Sequence, residues 1–278
     1  MHTYKNWFND NLNERINNHY LDYSVALNLY QFQKSNFIDS CINTAKLIAS
    51  TYDKQIYIGL SGGMDSEFIC RIFLENKIDF IPIIATFYDN SLESNYAFRF
   101  CKKNKIEPMV IQISDKELID LFYENVHKKL NGVGVNSLAS LKCGKIVEKL
   151  NGVWIQSDHV YGGDGFEKIN QSNFYSAEWD SYNSVLCPNL ISVEFFKYTP
   201  ELLLSSVLVI DDEELTWAEF KENTFGCIFR PKLRPAYSEN VRKVFNLSFS
   251  SKSIKKPNPI YSFGNKKEFI DLFKDYAY

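Results

Sequence analysis

The residues whose types and spacing point most directly to chemistry are Leu60-Ser61-Gly62-Gly63-Met64-Asp65-Ser66. Two adjacent glycines let the backbone turn so that successive amide N–H groups face inward, and a helix starting behind them adds the positive end of its dipole. Ser61 and Ser66 supply hydroxyl donors. Together they make a cradle for an anion such as phosphate. Asp65 is the odd member, because a carboxylate repels phosphate unless it holds Mg²⁺, bonds a backbone amide, or does both. The loop is not a Walker loop: it lacks the G-K-[ST] end and has no lysine nearby. Nor does it carry the G-x-G-x-x-G dinucleotide fingerprint. A lone SGG reads as a plain strand–helix turn capped by serine; S-G-G-x-D-S between an apolar run and a helical pattern reads as the cradle.

The elements that must position this loop follow from periodicity. Residues 55–60 (QIYIGL) form a short apolar run stopping at glycines, which predicts a buried strand, and 66–76 carry apolar residues at helical spacing. The alternation continues with strands at 80–87 (FIPIIATF), 108–113 (PMVIQI) and 152–156 (GVWIQ). A polar loop at 88–92, a helix over 93–103, a helix N-capped by Asp115, and a helix over 138–150 lie between them. Strands without polar alternation are buried on both faces. The prediction is therefore an α/β fold, a parallel sheet covered by helices on each side. Ahead of this core, Phe37, Cys41, Ala45, Leu47 and Ile48 predict a helix ending near Thr51. Trp7, Phe8, Leu12 and Ile16 suggest an earlier one. Beyond it, 159–188 reads as long loops, 191–197 as a strand or the start of a helix, and 200–210 and 212–222 as helices. Asp211–Glu214 reads as a solvated helix start, 230–259 is basic and proline-punctuated, and 266–276 is a closing helix. The expected organisation is an N-terminal helical segment (1–54), an α/β core (55–190) and a C-terminal extension completing the site (191–278).

The 278-residue chain is long enough to bury a full core. Its net charge of −3 advertises no long nucleic-acid footprint. No apolar window reaches membrane-spanning length, and the polar, Asn-rich start does not read as a signal peptide. Six widely spaced cysteines, with no CxxC, argue against a structural zinc or iron–sulfur cluster and suit buried reduced thiols in the cytoplasm. The 22 Phe, 17 Tyr and 4 Trp are read chiefly as core.

S-G-G-x-D-S between a buried strand and a helix resembles the signature of the PP-loop ATP pyrophosphatases. The resemblance implies a three-layer α/β/α sheet of order 3-2-1-4-5, of the adenine nucleotide alpha hydrolase (HUP) type. It implies cleavage of ATP between the α- and β-phosphates, adenylation of a carbonyl oxygen on the substrate, and Mg²⁺-assisted release of pyrophosphate. Leu60, Ser61, Gly62, Gly63, Met64, Asp65 and Ser66 would then bind the cofactor, with Asp65 also a metal ligand. Within this superfamily, ATFYDNSLESNYAFRFCKKNKIEPMVIQIS resembles the synthetase domain of asparagine synthetases, which implies that the backbone of Thr86 and Phe87 reads adenine. VWIQSDHVYGGDGFEK loosely resembles that group's strand and acidic glycine loop, although the Ala-Asp-Glu run is missing. The carboxylates available there are Asp158, Asp164 and Glu167, with Asp158 and Asp164 as implied Mg²⁺ ligands and Asp164 at the reaction centre. RPKLRPAY resembles a late K-x-L-R element whose lysine meets ATP phosphates or pyrophosphate, a role for Lys232, with Arg234 beside it.

His159, beside the glycine-rich loop, could serve as general base for an incoming amine, or be polar surface like His127. Cys143 sits in a helical apolar pattern and reads as core. No glutaminase fits ahead of the first core strand, so the nitrogen donor would be free ammonia, a partner glutaminase or an amine in the substrate. The leading expectation is an ATP-dependent, AMP- and pyrophosphate-forming ligase acting on a small-molecule acceptor. A nucleobase- or tRNA-modifying enzyme and a non-catalytic ATP-binding module are the alternatives.

Overall fold

A computed structural model describes residues 7–10, 25–87, 91–126, 135–157, 174–177, 187–209, 215–226, 238, 240–241, 243–244 and 260–278. A short antiparallel pair, β1 (Phe8–Asp10) and β2 (Val25–Leu27), precedes α1 (Phe37–Thr51). The predicted helix through Phe8 is thus corrected at its start to a strand; Leu12 and Ile16 lie outside the described residues. Phe8 pairs with Leu27, a partner whose distance in sequence hides it from local periodicity.

The core then runs β3 (Ile56–Gly59), α2 (Met64–Glu75), β4 (Ile81–Thr86), α3 (Ser91–Asn104), β5 (Met109–Gln112), α4 (Asp115–Val126), α5 (Val135–Lys149) and β6 (Val153–Gln156). After β7 (Phe174–Ala177), the fifth core strand β8 (Ile191–Glu194) passes directly into a 3₁₀ turn at Phe195–Lys197, so both readings of that stretch hold in succession. The sheet is parallel throughout, in order β5-β4-β3-β6-β8. Numbered within the sheet, that is the 3-2-1-4-5 order of the expected α/β/α fold.

Side-chain alternation explains the two covered faces. Ile56, Ile58, Leu60, Ile84, Val153, Ile155 and Val193 pack on one side with α1, α2 and α3. Tyr57, Ile83, Ile111 and Trp154 face the other side, against α4 and α5. Each such buried aliphatic or aromatic side chain contributes about 1.5–3 kcal/mol over leaving it in water. Connections β3–α2–β4 and β4–α3–β5 cover the first face; the return through α4 and α5 to β6 covers the second. The connections therefore diverge on either side of β3, which makes its carboxyl end the switch point of the sheet.

Three helices end alike. Lys77, Lys105 and Asn151 adopt positive φ (55°, 57° and 54°) immediately after α2, α3 and α5. At each, paired backbone bonds close the turn: Lys77 N–H to Leu74 O with Ile78 N–H to Phe73 O, and equivalent pairs at 105–106 and 151–152. These are Schellman closures built without glycine at the left-handed position.

The C-terminal part contributes α6 (Pro200–Leu208), α7 (Trp217–Phe225), β9 (Ile260–Gly264) and α8 (Lys266–Phe273). β9 pairs antiparallel with β7, so the loop reading of 159–188 is corrected at Phe174–Ala177. The helix expected over 212–222 begins instead at Trp217, because Thr216 and Glu219 form a capping box; Asp211–Glu214 lies outside the described residues. The helix after β5 has the same arrangement. Ser114, not Asp115, is the cap: its Oγ accepts the Glu117 N–H, while the Glu117 carboxylate accepts the Ser114 N–H at 2.9 Å. The predicted polar loop at 88–92 is shortened too, since α3 already begins at Ser91.

A third cluster ties the chain ends together. Trp7, Phe8, Phe32, Leu203, Leu204, Val207, Phe220, Phe269 and Phe273 form one buried group. The Trp7 indole N–H lies 3.2 Å from the carbonyl of Lys197 and 3.3 Å from that of Tyr198. No helix among the described residues is long and apolar enough to cross a membrane.

Candidate active site

The loop leaves β3 still paired, with the Leu60 N–H donating to Ile83 O at 2.8 Å. Gly62 then turns at φ +90°, and a Cβ placed there would lie 2.1 Å from the backbone carbonyl oxygen of Glu93, in the first turn of α3. No residue with a side chain fits that position without moving backbone. Gly63, at φ −78° and ψ 162°, is the N-cap of α2 and has no side chain to cap with. The serines take over that work. Ser61 Oγ accepts the Gly63 N–H at 3.3 Å. The buried Ser66 hydroxyl accepts the Ser61 N–H at 3.3 Å and donates to Gly63 O at 3.1 Å. It also lies 3.2 Å from Ser61 Oγ. The two hydroxyls, expected as donors to an anion, are engaged in bracing the loop.

Asp65 stands in the first turn of α2. Its Oδ2 accepts a hydrogen bond from Lys221 Nζ at 2.8 Å, and its Oδ1 is buried with no hydrogen-bond partner. The sequence shows no lysine beside the loop; the fold brings one from 156 residues away, on α7. Three contacts seat that helix along α2. Beyond the ion pair, the Phe225 ring stacks on Phe68 at 4.3 Å between centroids. One turn further on, Arg71 Nη1 donates to Gly226 O at 3.1 Å, while its Nη2 donates to the buried Glu67 at 2.6 Å. Gly226 itself closes α7 in the left-handed conformation, at φ 60°. Phe37 and Phe196 extend the ring stack into the core below.

Thr86 and Phe87 lie at the carboxyl end of β4, the strand beside β3, so the fold brings them to the same sheet edge as the loop. The Thr86 carbonyl accepts the Ile113 N–H at 2.7 Å. On the other flank, β6 ends at Gln156, whose buried amide is fixed by Ser140 Oγ at 2.9 Å and Ser192 Oγ at 3.1 Å. Asp158, His159, Asp164, Glu167, Lys232 and Arg234 lie outside the described residues, as does His127. Among the described residues no group of three or more His, Cys, Asp or Glu is placed to hold a metal ion. Cys143 is buried, and burial pushes its thiol up to about 12, as expected of a core residue and not of a nucleophile. Cys41, Cys70, Cys101 and Cys187 are likewise buried.

Lys221 is the residue that sequence reasoning missed. The signal lies in spacing: Asp65, Phe68 and Arg71 recur at three residues on α2, and Lys221, Phe225 and Gly226 match them rung by rung on α7. Neither set announces the other until the helices are docked.

No protein-family model and no curated protein matches the chain. Among solved structures it is similar to NMN synthetase from Francisella tularensis, at 12% identity and TM-score 0.37, over 76% of this chain and 91% of that one. It is also similar to NH3-dependent NAD synthetase from Campylobacter jejuni, at 15% identity and TM-score 0.34, over 79% and 96% of the two chains. A U34-tRNA thiolase from Methanococcus maripaludis aligns at 13% identity and TM-score 0.41, over 86% and 79%. With TM-scores this low, these likenesses lend no weight to any choice of activity.

Proposed function

We propose that the chain is an ATP-dependent ligase that forms AMP and pyrophosphate, adenylating a carboxylate or other carbonyl oxygen for attack by a nitrogen nucleophile. The observation that carries this reading is the loop at the carboxyl end of β3. Gly62 is held at positive φ with the backbone of α3 packed against it, at the switch point where such sheets take their ligands. A turn this tight, opening onto α2, directs backbone amides at an anion. In this reading the loop at residues 61–66 holds the pyrophosphate end of ATP through the first-turn amides of α2 at Met64, Asp65 and Ser66, since those of Ser61 and Gly63 are taken by the serine hydroxyls. In the same reading the backbone at Thr86 and Phe87 meets adenine one strand away.

Asp65 suits a divalent cation: a buried carboxylate oxygen without a partner is costly unless a donor or a cation satisfies it. Mg²⁺ held there would offset charge on the leaving pyrophosphate. Asp158 and Asp164 are proposed to share that cation, Lys232 to add a second positive charge, and His159 to accept the proton of the incoming amine. The asparagine synthetase-like form of this reading, with free ammonia or a separate glutaminase as nitrogen source, rests on the sequence motifs alone.

The test is ATP–pyrophosphate exchange, screened over carboxylates, amides and nucleosides. Exchange that depends on Mg²⁺ and is accompanied by AMP formation is the expected outcome, and Asp65→Asn should abolish it. Release of ADP and phosphate alone would overturn the ligase reading. Tight ATP binding with no AMP across the whole screen would make the chain a nucleotide-binding module instead.

A further inference from the structure

We propose that Arg71, which lies outside the phosphate loop, is a positioning residue for it. By fixing α7 in register along α2, it keeps Lys221 level with Asp65 and so sets the direction in which the Asp65 carboxylate faces. This rests on the reading above in requiring that the loop bind a polyphosphate together with a divalent cation at Asp65.

α2 and α7 run in the same direction, since Asp65, Phe68 and Arg71 meet Lys221, Phe225 and Gly226 in that order. Parallel helices bring like dipole ends together, so their docking needs a compensating contact. Arg71 supplies it at the carbonyl end of α7. Its Nη1 donates to Gly226 O at 3.1 Å and lies 3.5 Å from Phe225 O, while its Nη2 donates to Glu67 Oε1 at 2.6 Å. The planar fork of a guanidinium suits this task, because two nitrogens in fixed geometry join a carboxylate on one helix to a carbonyl on the other. Glu67 holds the fork from within the protein: its side chain is 5% exposed, and it shares the first turn of α2 with Asp65. Two further contacts of α7 are apolar. The Phe225 ring stacks on Phe68, and Phe220 packs into the cluster at the chain ends. Ring faces tolerate sliding, whereas a hydrogen bond to a carbonyl falls off steeply with distance and angle and so fixes a helix along its axis. A slip of about 1.5 Å, the rise of one residue, would carry the root of Lys221 past Asp65 and turn the carboxylate it holds. Lys221 meets Oδ2 at 2.8 Å, and Oδ1 is buried without a hydrogen-bond partner. The aim of that second oxygen is therefore set from α7, and the register of α7 is set by Arg71.

Pyrophosphate binding, followed by calorimetry through a Mg²⁺ series, tests this without turnover. The quantity read is the Mg²⁺ concentration that gives half of the full enhancement in affinity. Arg71→Lys is the informative variant: it keeps a cation beside the buried Glu67 carboxylate, but one ammonium does not span Glu67 and Gly226 O together. Its Mg²⁺ midpoint should rise about threefold or more, the cost of a misaimed ligand. In a Lys221→Met background the same substitution should move the midpoint by less than about 1.5-fold, because Arg71 acts through Lys221. A role confined to stability would give the same shift in both backgrounds. An unchanged midpoint in Arg71→Lys, or an equal rise with and without Lys221, overturns the positioning role and leaves the ligase reading standing. Wild-type binding that is indifferent to Mg²⁺ overturns the cation at Asp65 and this role with it. Wild-type protein that binds no pyrophosphate at any Mg²⁺ concentration overturns the ligase reading as well. Circular dichroism reports the fold of each variant. If Arg71→Lys does not fold, Phe225→Leu decides in the same two backgrounds, since it loosens the same end of α7 without touching a charge.

Discussion

At Gly62 two demands coincide: a φ of +90°, and a carbonyl oxygen 2.1 Å from where Cβ would sit. Either alone makes alanine costly; together they require α3 or the loop to shift. Gly62→Ala should therefore lower unfolding free energy by at least about 2 kcal/mol and remove polyphosphate binding. Gly63 is the internal control. Its φ is ordinary, and the nearest atom to an added Cβ is Ser61 Oγ at 3.4 Å. Gly63→Ala should stay within about 0.5 kcal/mol of wild type in urea denaturation. Equal losses at both positions would mean that the close approach of α3 does not govern the loop. The glycines and Asp65 are evident from the sequence as a motif. The motif is silent about which glycine carries the strain, because that depends on the carbonyl of Glu93, on a different helix.

Among the elements, the capped helices offer a pH-dependent test. Hydrogen bonds from the Ser114 backbone and from Lys142, with the Ser114 hydroxyl, lower the Glu117 carboxyl from its ordinary 4.5 to about 2. A carboxyl lowered in the folded state stabilises fully above its unfolded value, and that contribution fades as pH falls toward the folded one. The Glu117 contribution should thus be lost between about pH 4.5 and pH 2. Stability of Glu117→Gln should be lower than wild type at neutral pH, and the two should converge in acid. Curves that stay parallel through that window would remove the cap from the account. Exposure of this side chain keeps the effect small. Both α4 and α7 begin with the same reciprocal box, yet the sequence reading put one cap a residue late and started the other helix early. Periodicity finds the apolar stripe of a helix, whereas its first residue is decided by which hydroxyl turns back onto the backbone. The core strands were legible for the opposite reason: runs such as IYIG and VWIQ are apolar throughout because helices cover both faces. β7 and β9 were not, since their pairing joins residues 174–177 to 260–264 and neither run is distinctive alone.

For the whole molecule, the cluster around Trp7 makes the first described residues part of the same folding unit as α6, α7 and α8. Trp7→Phe keeps much of the buried apolar surface but removes the indole N–H that serves Lys197 O and Tyr198 O. We expect a loss of about 1–3 kcal/mol, read as a single shifted transition in thermal unfolding. A separate low-temperature transition would show that the N-terminal strand pair melts independently of the sheet. Lys221 gives the docking of α7 a consequence for biosynthesis. Asp65 leaves the ribosome 156 residues before the lysine that neutralises it. At bacterial or eukaryotic elongation rates that is an interval of roughly 8 to 30 seconds. Throughout it, Asp65 is without the ion pair that Lys221 makes with it in the folded protein. The Asp65–Lys221 pair therefore forms only after α7 has emerged, so the loop gains its longest-range ion pair late in synthesis.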